Sequence, residues 1–239
     1  NTAKWVSGSS SRLMSNKKYI IYAKTADTAG NISYAMTNEI VIDNTGPSFT
    51  AKYNKTDWTY DKASIEVTNV NDNLSGLKSI YYKLAKKSAD LNNAAPLPLT
   101  IKDNIADINF EDGETFVQIF AEDNAGDTSS SDIFCIRQDT VIPTITVDVD
   151  DSTYTSFKTA SISTSVGPSG IKSVQVKEEN SLEWITLSPE SDNKNSYQYT
   201  ITERGNYIFK IENNAGKIVE SSKIPINKID KDRPAIEVF

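Results

Sequence analysis

The chain has 239 residues, with 25 Lys and Arg against 32 Asp and Glu, a formal net charge of −7, no histidine and one cysteine. This balance argues against a nucleic-acid partner, which needs a basic footprint, and it leaves no intrachain disulfide. It also removes the commonest general base, zinc ligand and nucleophile-activating partner.

In chain order, the residues read as strands separated by turns. Alternation of β-branched and aromatic residues marks half-buried strands. In "YIIYAKTAD" (19–27), Ile21, Ala23 and Thr25 share one face, and "YAMTNEIVID" (34–43) follows a turn. After Pro47 come a short alternating run, then "ASIEVTNV" (63–70) and "LKSIYYKL" (77–84), with Ile80 and Tyr82 on one face and Tyr81 on the other. "AKKSADLNNAAP" (85–96) has room for a short turn of helix. "TFVQIFAED" (115–123) places Val117, Ile119 and Ala121 together, and "SDIFCIRQD" (131–139) holds Cys135, expected as a small buried hydrophobe. After Pro143 the pattern returns in "ASISTSV" (160–166), "IKSVQVKE" (171–178, Val174 and Val176), "NYIFKIENN" (206–214, Tyr207 and Phe209, then Ile211) and "SSKIPINKID" (221–230). No apolar run approaches the ~20 residues of a membrane span. "NTAKWVSGSS" lacks the apolar core of a signal peptide. The chain opens without Met, so it is expected to be a piece of something longer.

An internal repeat organises these elements. "TADTAGN", "AEDNAGD" and "IENNAGK" align on Gly30, Gly126 and Gly216, spaced by 96 and 90 residues. Downstream lie Pro47, Pro143 and Pro234, each four residues after an acid: Asp43, Asp139 and Asp230. "NLSGLKSIYYK" and "GPSGIKSVQVK" place Gly76 and Gly170 94 residues apart. A period of this length suits a small β-sandwich. The reading is all-β, tandem sandwich domains in an extended array: residues 1–46 as the C-terminal half of one, 47–142 and 143–233 as complete domains, and 234–239 as the first-strand stub of another. Five basic against three acidic residues give the first segment +2, and the two complete domains carry −6 and −2. The repeated turn reads as a hairpin connection. Asp27, Asp123 and Asn213 can bond their own backbone two residues on, and each glycine supplies positive φ. The prolines suit the opening of an edge strand.

The order Ser-Gly-(Leu/Ile), strand, Trp, aromatic strand, "D-x-A-G-N", strand, "I-D-x-T-x-P" resembles the bacterial immunoglobulin-like repeats of large surface proteins. "YIIYAKTADTAGN…IVIDNTGP" (19–47) carries the likeness most closely. It departs at Asp127, Asn213, Lys217 and in "VIP" and "DKDRP". The resemblance implies Ig-like sandwiches on the cell surface or in the cell wall, with no active site at these positions. The expected role is a non-catalytic structural stalk that spaces or presents other domains. The alternatives are an adhesin-type module binding a glycan or host protein, and an accessory segment of a surface carbohydrate-active enzyme.

The residues offer four candidate sites. Calcium at the domain junctions would draw on Asp139 with Asp148, Asp150 and Asp151, on Asp43 with Asn44, or on Asp230 with Asp232. The copies share no single ligand set, so a solvated acidic face is preferred and no cofactor is expected. "NDNLSG" (71–76) resembles the start of an EF-hand loop but lacks the closing Glu. Catalytic carboxylate pairs have no pocket signature to frame them. Trp58, alternating with Tyr60, is the candidate ligand contact; Tyr60 aligns with Phe157 and is expected in a core, as are Trp5 and Trp184. A Lys–Asn isopeptide staple has too many candidates to single one out, and Asn227 in the last strand of the third copy has no Asn equivalent in the second, so none is expected. The expected partners are neighbouring domains of the same chain, and the expected state is a monomer.

Overall fold

The structure is a computed structural model and describes residues 13–235. Trp5 and residues 236–239 of the expected stub lie outside the described residues. The chain divides into two compact units. The first runs through Asn54 and adds Ser64–Asn109 and Phe116–Phe134; the second comprises Lys55–Ala63, Phe110–Thr115 and the chain from Cys135 onward.

In the second unit, two sheets form one sandwich. Thr144–Asp148, Lys158–Ser165, Asn193–Ile201 and Pro189–Glu190 make a four-stranded sheet in that spatial order. Ile185–Thr186, Ile171–Glu178 and Gly205–Asn213 make the other, with Ile218–Glu220 and Ile224–Ile226 both pairing onto Gly205–Asn213. All pairs are antiparallel, and the register sets Val176 opposite Phe209 and Val174 opposite Ile211. Alternation turns every second side chain inward, so Val174, Val176, Phe209 and Ile211 form a core with Ile162, Ile201 and Ile226. Burying each such side chain contributes roughly 1.5–3 kcal/mol. Thr155 forms an isolated parallel bridge to Ile229 beside this sandwich.

The first unit holds Ser48–Lys52, Glu66–Asn71, Ile105–Ala106 and Ile101–Lys102 in one sheet of the same order. Leu97–Pro98 pairs Leu77–Ala85, which pairs Gly113–Asp123 with Ile119 opposite Tyr82 and Ala121 opposite Ile80. Tyr81 points to the other face, where its ring stacks on Phe120 at 5.2 Å. The expected helical turn is a 3-10 helix, Ser88–Asn93, which inserts Leu91 into the interior.

Numbering the nine strands of either set along the chain, the order is first–second–sixth–fifth in one sheet, with the third strand beside the long seventh strand in the other. That is the strand arrangement of an immunoglobulin-like sandwich, written twice. Pro47 and Pro143 immediately precede Ser48–Lys52 and Thr144–Asp148, each the edge strand of its sheet. An edge position tolerates a residue with no N–H to donate.

Three expectations about burial are corrected. Ile21, Ala23 and Thr25 do not sit on a half-buried face: Tyr22–Ala26 pairs only Ile32–Met36, and the residues of both strands are exposed. No second sheet covers this hairpin among the described residues. Phe157 is 52 % exposed, not core, and Tyr60 is half-buried with the Lys217 ammonium 4.4 Å from its ring. Cys135 is half-buried on the face opposite Ile136, because alternation along Phe134–Gln138 groups it with Arg137.

Candidate functional site

The three glycine turns share one geometry. Gly30, Gly126 and Gly216 have φ of 86°, 94° and 83°, a left-handed conformation in which only glycine avoids a Cβ clash. Each glycine N–H donates to the carbonyl of residue 27, 123 or 213, closing the turn. The side-chain oxygen of that residue then caps the loop from inside. Asp27 Oδ1 accepts the N–H groups of Ala29 and Asn31, and Asp123 Oδ1 those of Ala125 and Asp127. Asn213 Oδ1 accepts the Lys217 N–H at 2.8 Å.

The turns differ in what the second side-chain atom does. Asp27 Oδ2 accepts the Asn31 side-chain amide at 2.7 Å, and that bond with the backbone donors holds its carboxyl below the ordinary range. Asn213 Nδ2 donates to Asp139 Oδ2 at 3.5 Å. Asp123 Oδ2 is buried and has no hydrogen-bond partner among the described residues. The residue that matches Asn31 is Asp127, which offers no side-chain amide.

The acids preceding the prolines meet the Ser-Gly loops. Asp43 accepts the Thr45 N–H on Oδ1 and the Ser75 N–H on Oδ2, at 3.2 and 2.9 Å. Asp139 accepts the Val141 N–H on Oδ1 at 3.1 Å, and the Ser169 N–H and hydroxyl on Oδ2. The loop bearing Ser169 closes tightly: a Cβ at Gly167 would lie 2.1 Å from Asp139 Oδ1. Each Ser-Gly loop is tied to the adjacent glycine turn by an asparagine, a pairing the sequence reading missed. Asn124 Nδ2 donates to the carbonyls of Ser75 and Gly76, and Asn214 Nδ2 to that of Ser169. Asp230 caps the Asp232 N–H at 3.0 Å, ahead of Pro234. Pro47 is held through its carbonyl by the Ser129 hydroxyl.

In the first unit this arrangement gathers three carboxylates. Asp43, Asp72 and Asp123 each bring one oxygen to within 4.8 Å of the others. Asp123 is fully buried, Asp43 is 8 % exposed and Asp72 is half-buried. Asp72 Oδ1 accepts the Leu74 and Gly76 N–H groups at 3.1 and 2.6 Å. Burial raises the Asp43 carboxyl, but the hydrogen bonds from Ser75, Thr45 and Asn44 outweigh it and leave it below its usual value. The sequence reading set Asp43 beside Asn44 and assigned Asp123 to turn chemistry alone. The structure joins Asp43 instead to Asp123 and to Asp72 of the EF-hand-like "NDNLSG".

The other candidates fall elsewhere. Asp150 caps the Ser152 N–H, and Asp151 accepts the Asn227 and Lys228 N–H groups with the buried Lys158 Nζ 3.8 Å away. Neither joins Asp139. Trp58 is half-buried rather than displayed. Trp184, expected in the core, lies under two cations, Lys210 Nζ 4.0 Å and Lys177 Nζ 5.1 Å from its ring. Lys177 and Lys210 flank the inward Val176, Phe209 and Ile211 and so occupy the outer face of the sheet. Burial and the neighbouring Glu114 carboxylate push the Cys135 thiol up. A depression of about 220 Å³ on the outer face of the four-stranded sheet is lined by Thr146, Asp148, Ser161, Ser163 and Glu190.

No protein-family model matches the chain. No curated protein matches it. Among solved structures, extracellular domains 3–5 of Drosophila OTK align with a TM-score of 0.45 and 11 % identity over 89 % of this chain and 71 % of that one. A tetra-tandem repeat from the extending region of a large adhesion protein aligns at 0.35 and 17 %, over 88 % of this chain and 57 % of that one. Fibronectin(III)-like modules of Clostridium thermocellum CbhA align at 0.33 and 12 %, over 80 % of this chain and all (100 %) of theirs. The class of the chain is a tandem immunoglobulin-like β-sandwich protein, defined by the strand order described above. No helix is long and apolar enough to cross a membrane among the described residues.

Proposed function

We propose that the chain is a non-catalytic extracellular module of a bacterial surface protein that spaces or presents other domains. Its domains would be 47–142 and 143–233, preceded by the latter half of another (1–46) and followed by the start of a next (234–239). The observation that carries this reading is the linker contact made twice. Asp43 and Asp139, each four residues before a domain-opening proline, bond the Ser75 and Ser169 N–H groups of the domain that follows. A flexible tether would leave those carboxylates in water, whereas here they fix the entry of the chain into the next sandwich. The family resemblance supports the surface location.

The test pairs solution scattering of the 239-residue chain with a glycan and matrix-protein array. A monomer with an elongated profile and no saturable binding at high micromolar concentration is expected. Saturable binding would replace the spacer reading with the adhesin. A compact profile would overturn the array.

A further inference from the structure

We propose that Asp43, Asp72 and Asp123 bind a calcium ion, which locks the 43–47 segment onto the loop and turn of the first unit.

Three carboxylates bring a formal charge of −3 to one largely buried place. Their backbone hydrogen bonds satisfy Asp72 Oδ1 and both oxygens of Asp43, yet Asp123 Oδ2 is buried without a hydrogen-bond partner among the described residues. A fully buried, unpartnered carboxylate oxygen is a strongly unfavourable state that proteins relieve with a partner or a metal. Among the described residues no side-chain cation supplies one. Lys78 feels the Asp123 charge, but its Nζ is bound to Glu122 Oε1 at 2.7 Å.

The chain contains its own controls. In the second unit, the position of Asp123 is Asn213 and the position of Asp72, four residues before the loop glycine, is Val166. There a single carboxylate remains, and the Asn213 amide nitrogen donates to Asp139 Oδ2. In the first turn, the Asn31 amide occupies Asp27 Oδ2. Two of the three turns therefore carry a nitrogen donor that neutralises the second position. The Asp123 turn lacks it and instead acquires two further carboxylates. That is the pattern of a site in which a cation replaces an amide.

The donor set selects the ion. All the donors are hard carboxylate oxygens, with no nitrogen or sulfur, which suits calcium and magnesium over zinc. Calcium binds oxygen at 2.3–2.6 Å, so two ligands of one ion can stand up to about 5 Å apart. The three carboxylate oxygens all lie within 4.8 Å of one another, inside that limit. Magnesium demands near-ideal octahedral geometry, keeps several waters and is usually held by one or two carboxylates, so three protein carboxylates favour calcium. Backbone carbonyls and water would complete the six to eight ligands that calcium takes.

The test uses the whole chain, stripped with EDTA and dialysed, then titrated with CaCl2 by calorimetry and melted with and without the ion. One calcium per chain is expected, with a Kd of about 10⁻⁴–10⁻³ M, the range of extracellular modules. The midpoint of unfolding of the first unit should rise by about 5 °C at about 10 mM CaCl2. Asp123→Asn installs the residue used at position 213. It should weaken calcium binding at least tenfold, abolish the calcium-dependent shift and raise the midpoint without calcium. If that variant does not fold, Asp72→Asn, at a half-buried position, should weaken binding in the same assay while Asp148→Asn leaves it unchanged. No saturable binding at 10 mM, equal binding by Asp123→Asn, or an equal shift with MgCl2 would each overturn the proposal. None of these results depends on whether the module is a spacer or an adhesin.

Discussion

Asn213→Asp places a second carboxylate in a site that holds only one. The amide nitrogen that donates to Asp139 Oδ2 at 3.5 Å becomes an acceptor, and Asn213 is fully buried. At that separation and an effective dielectric of about 20, the repulsion between two charges is about 5 kcal/mol. The introduced carboxyl escapes part of it by keeping its proton. Holding a group of ordinary pKa near 3.9 protonated at pH 7 costs about 4 kcal/mol, so the expected loss of stability is about 4 kcal/mol at pH 7. The folded-state pKa of the new carboxyl is raised above its unfolded value, so the folded state binds more protons. The penalty must therefore shrink as pH falls and vanish below about pH 4. Urea unfolding of both proteins at several values between pH 4 and 8 measures it. Calcium should rescue the variant poorly, because Val166 stands where the first unit has Asp72. A loss below about 1 kcal/mol at pH 7, or one that does not change with pH, would refute the view that the Asn213 amide neutralises this site.

Four further outcomes follow from the geometry. Phe209→Ala should destabilise the second unit by about 3–5 kcal/mol, because Phe209 is fully buried. Trp184→Ala, which removes a ring lying under Lys177 and Lys210 on the outer face, should cost about 1–2 kcal/mol, and thermal or denaturant unfolding ranks the two. Cys135 should react with Ellman's reagent at pH 8 far more slowly than a free thiol and fully in denaturant, since burial and Glu114 raise its pKa. Asp27, Glu114, Asp151 and Glu179 are held below their ordinary values, chiefly by Asn31, Arg137, the Asn227 N–H and Lys223. The unfolded state then binds more protons, so stability present above about pH 4–5 should decline as pH falls further, as melts between pH 3 and 7 will show.

Strand positions were legible because alternation has a period of two and these sheets bury one face. Val117, Ile119 and Ala121 were placed together from spacing alone, as were Tyr207, Phe209 and Ile211, and the structure buries all six. Spacing misled where an apolar residue lies outside that alternation. Trp184 precedes its short strand, and Phe157 immediately precedes Lys158–Ser165. Cys135 follows the alternation faithfully, but on the face opposite Ile136. An apolar pattern in 19–27 cannot say whether a covering sheet exists, so Ile21 and Ala23 read as half-buried and are exposed.

The acidic site follows the same division. Local sequence determines that Asp-x-Ala-Gly makes a turn, because its hydrogen bonds span at most four residues and the glycine φ is a property of the backbone. It also determines the period, since identical turns recur at identical points of a repeated strand order. Only the tertiary structure decides that Asp43, Asp72 and Asp123 meet. Asp43 and Asp123 stand 80 positions apart, and the pairing of Leu77–Ala85 with Gly113–Asp123 is what carries the loop and turn to the same end of a sheet. A carboxylate that caps its own turn with one oxygen looks complete in sequence. Whether its other oxygen finds a donor depends on what the fold brings opposite it, an amide at Asp27 and two more carboxylates at Asp123.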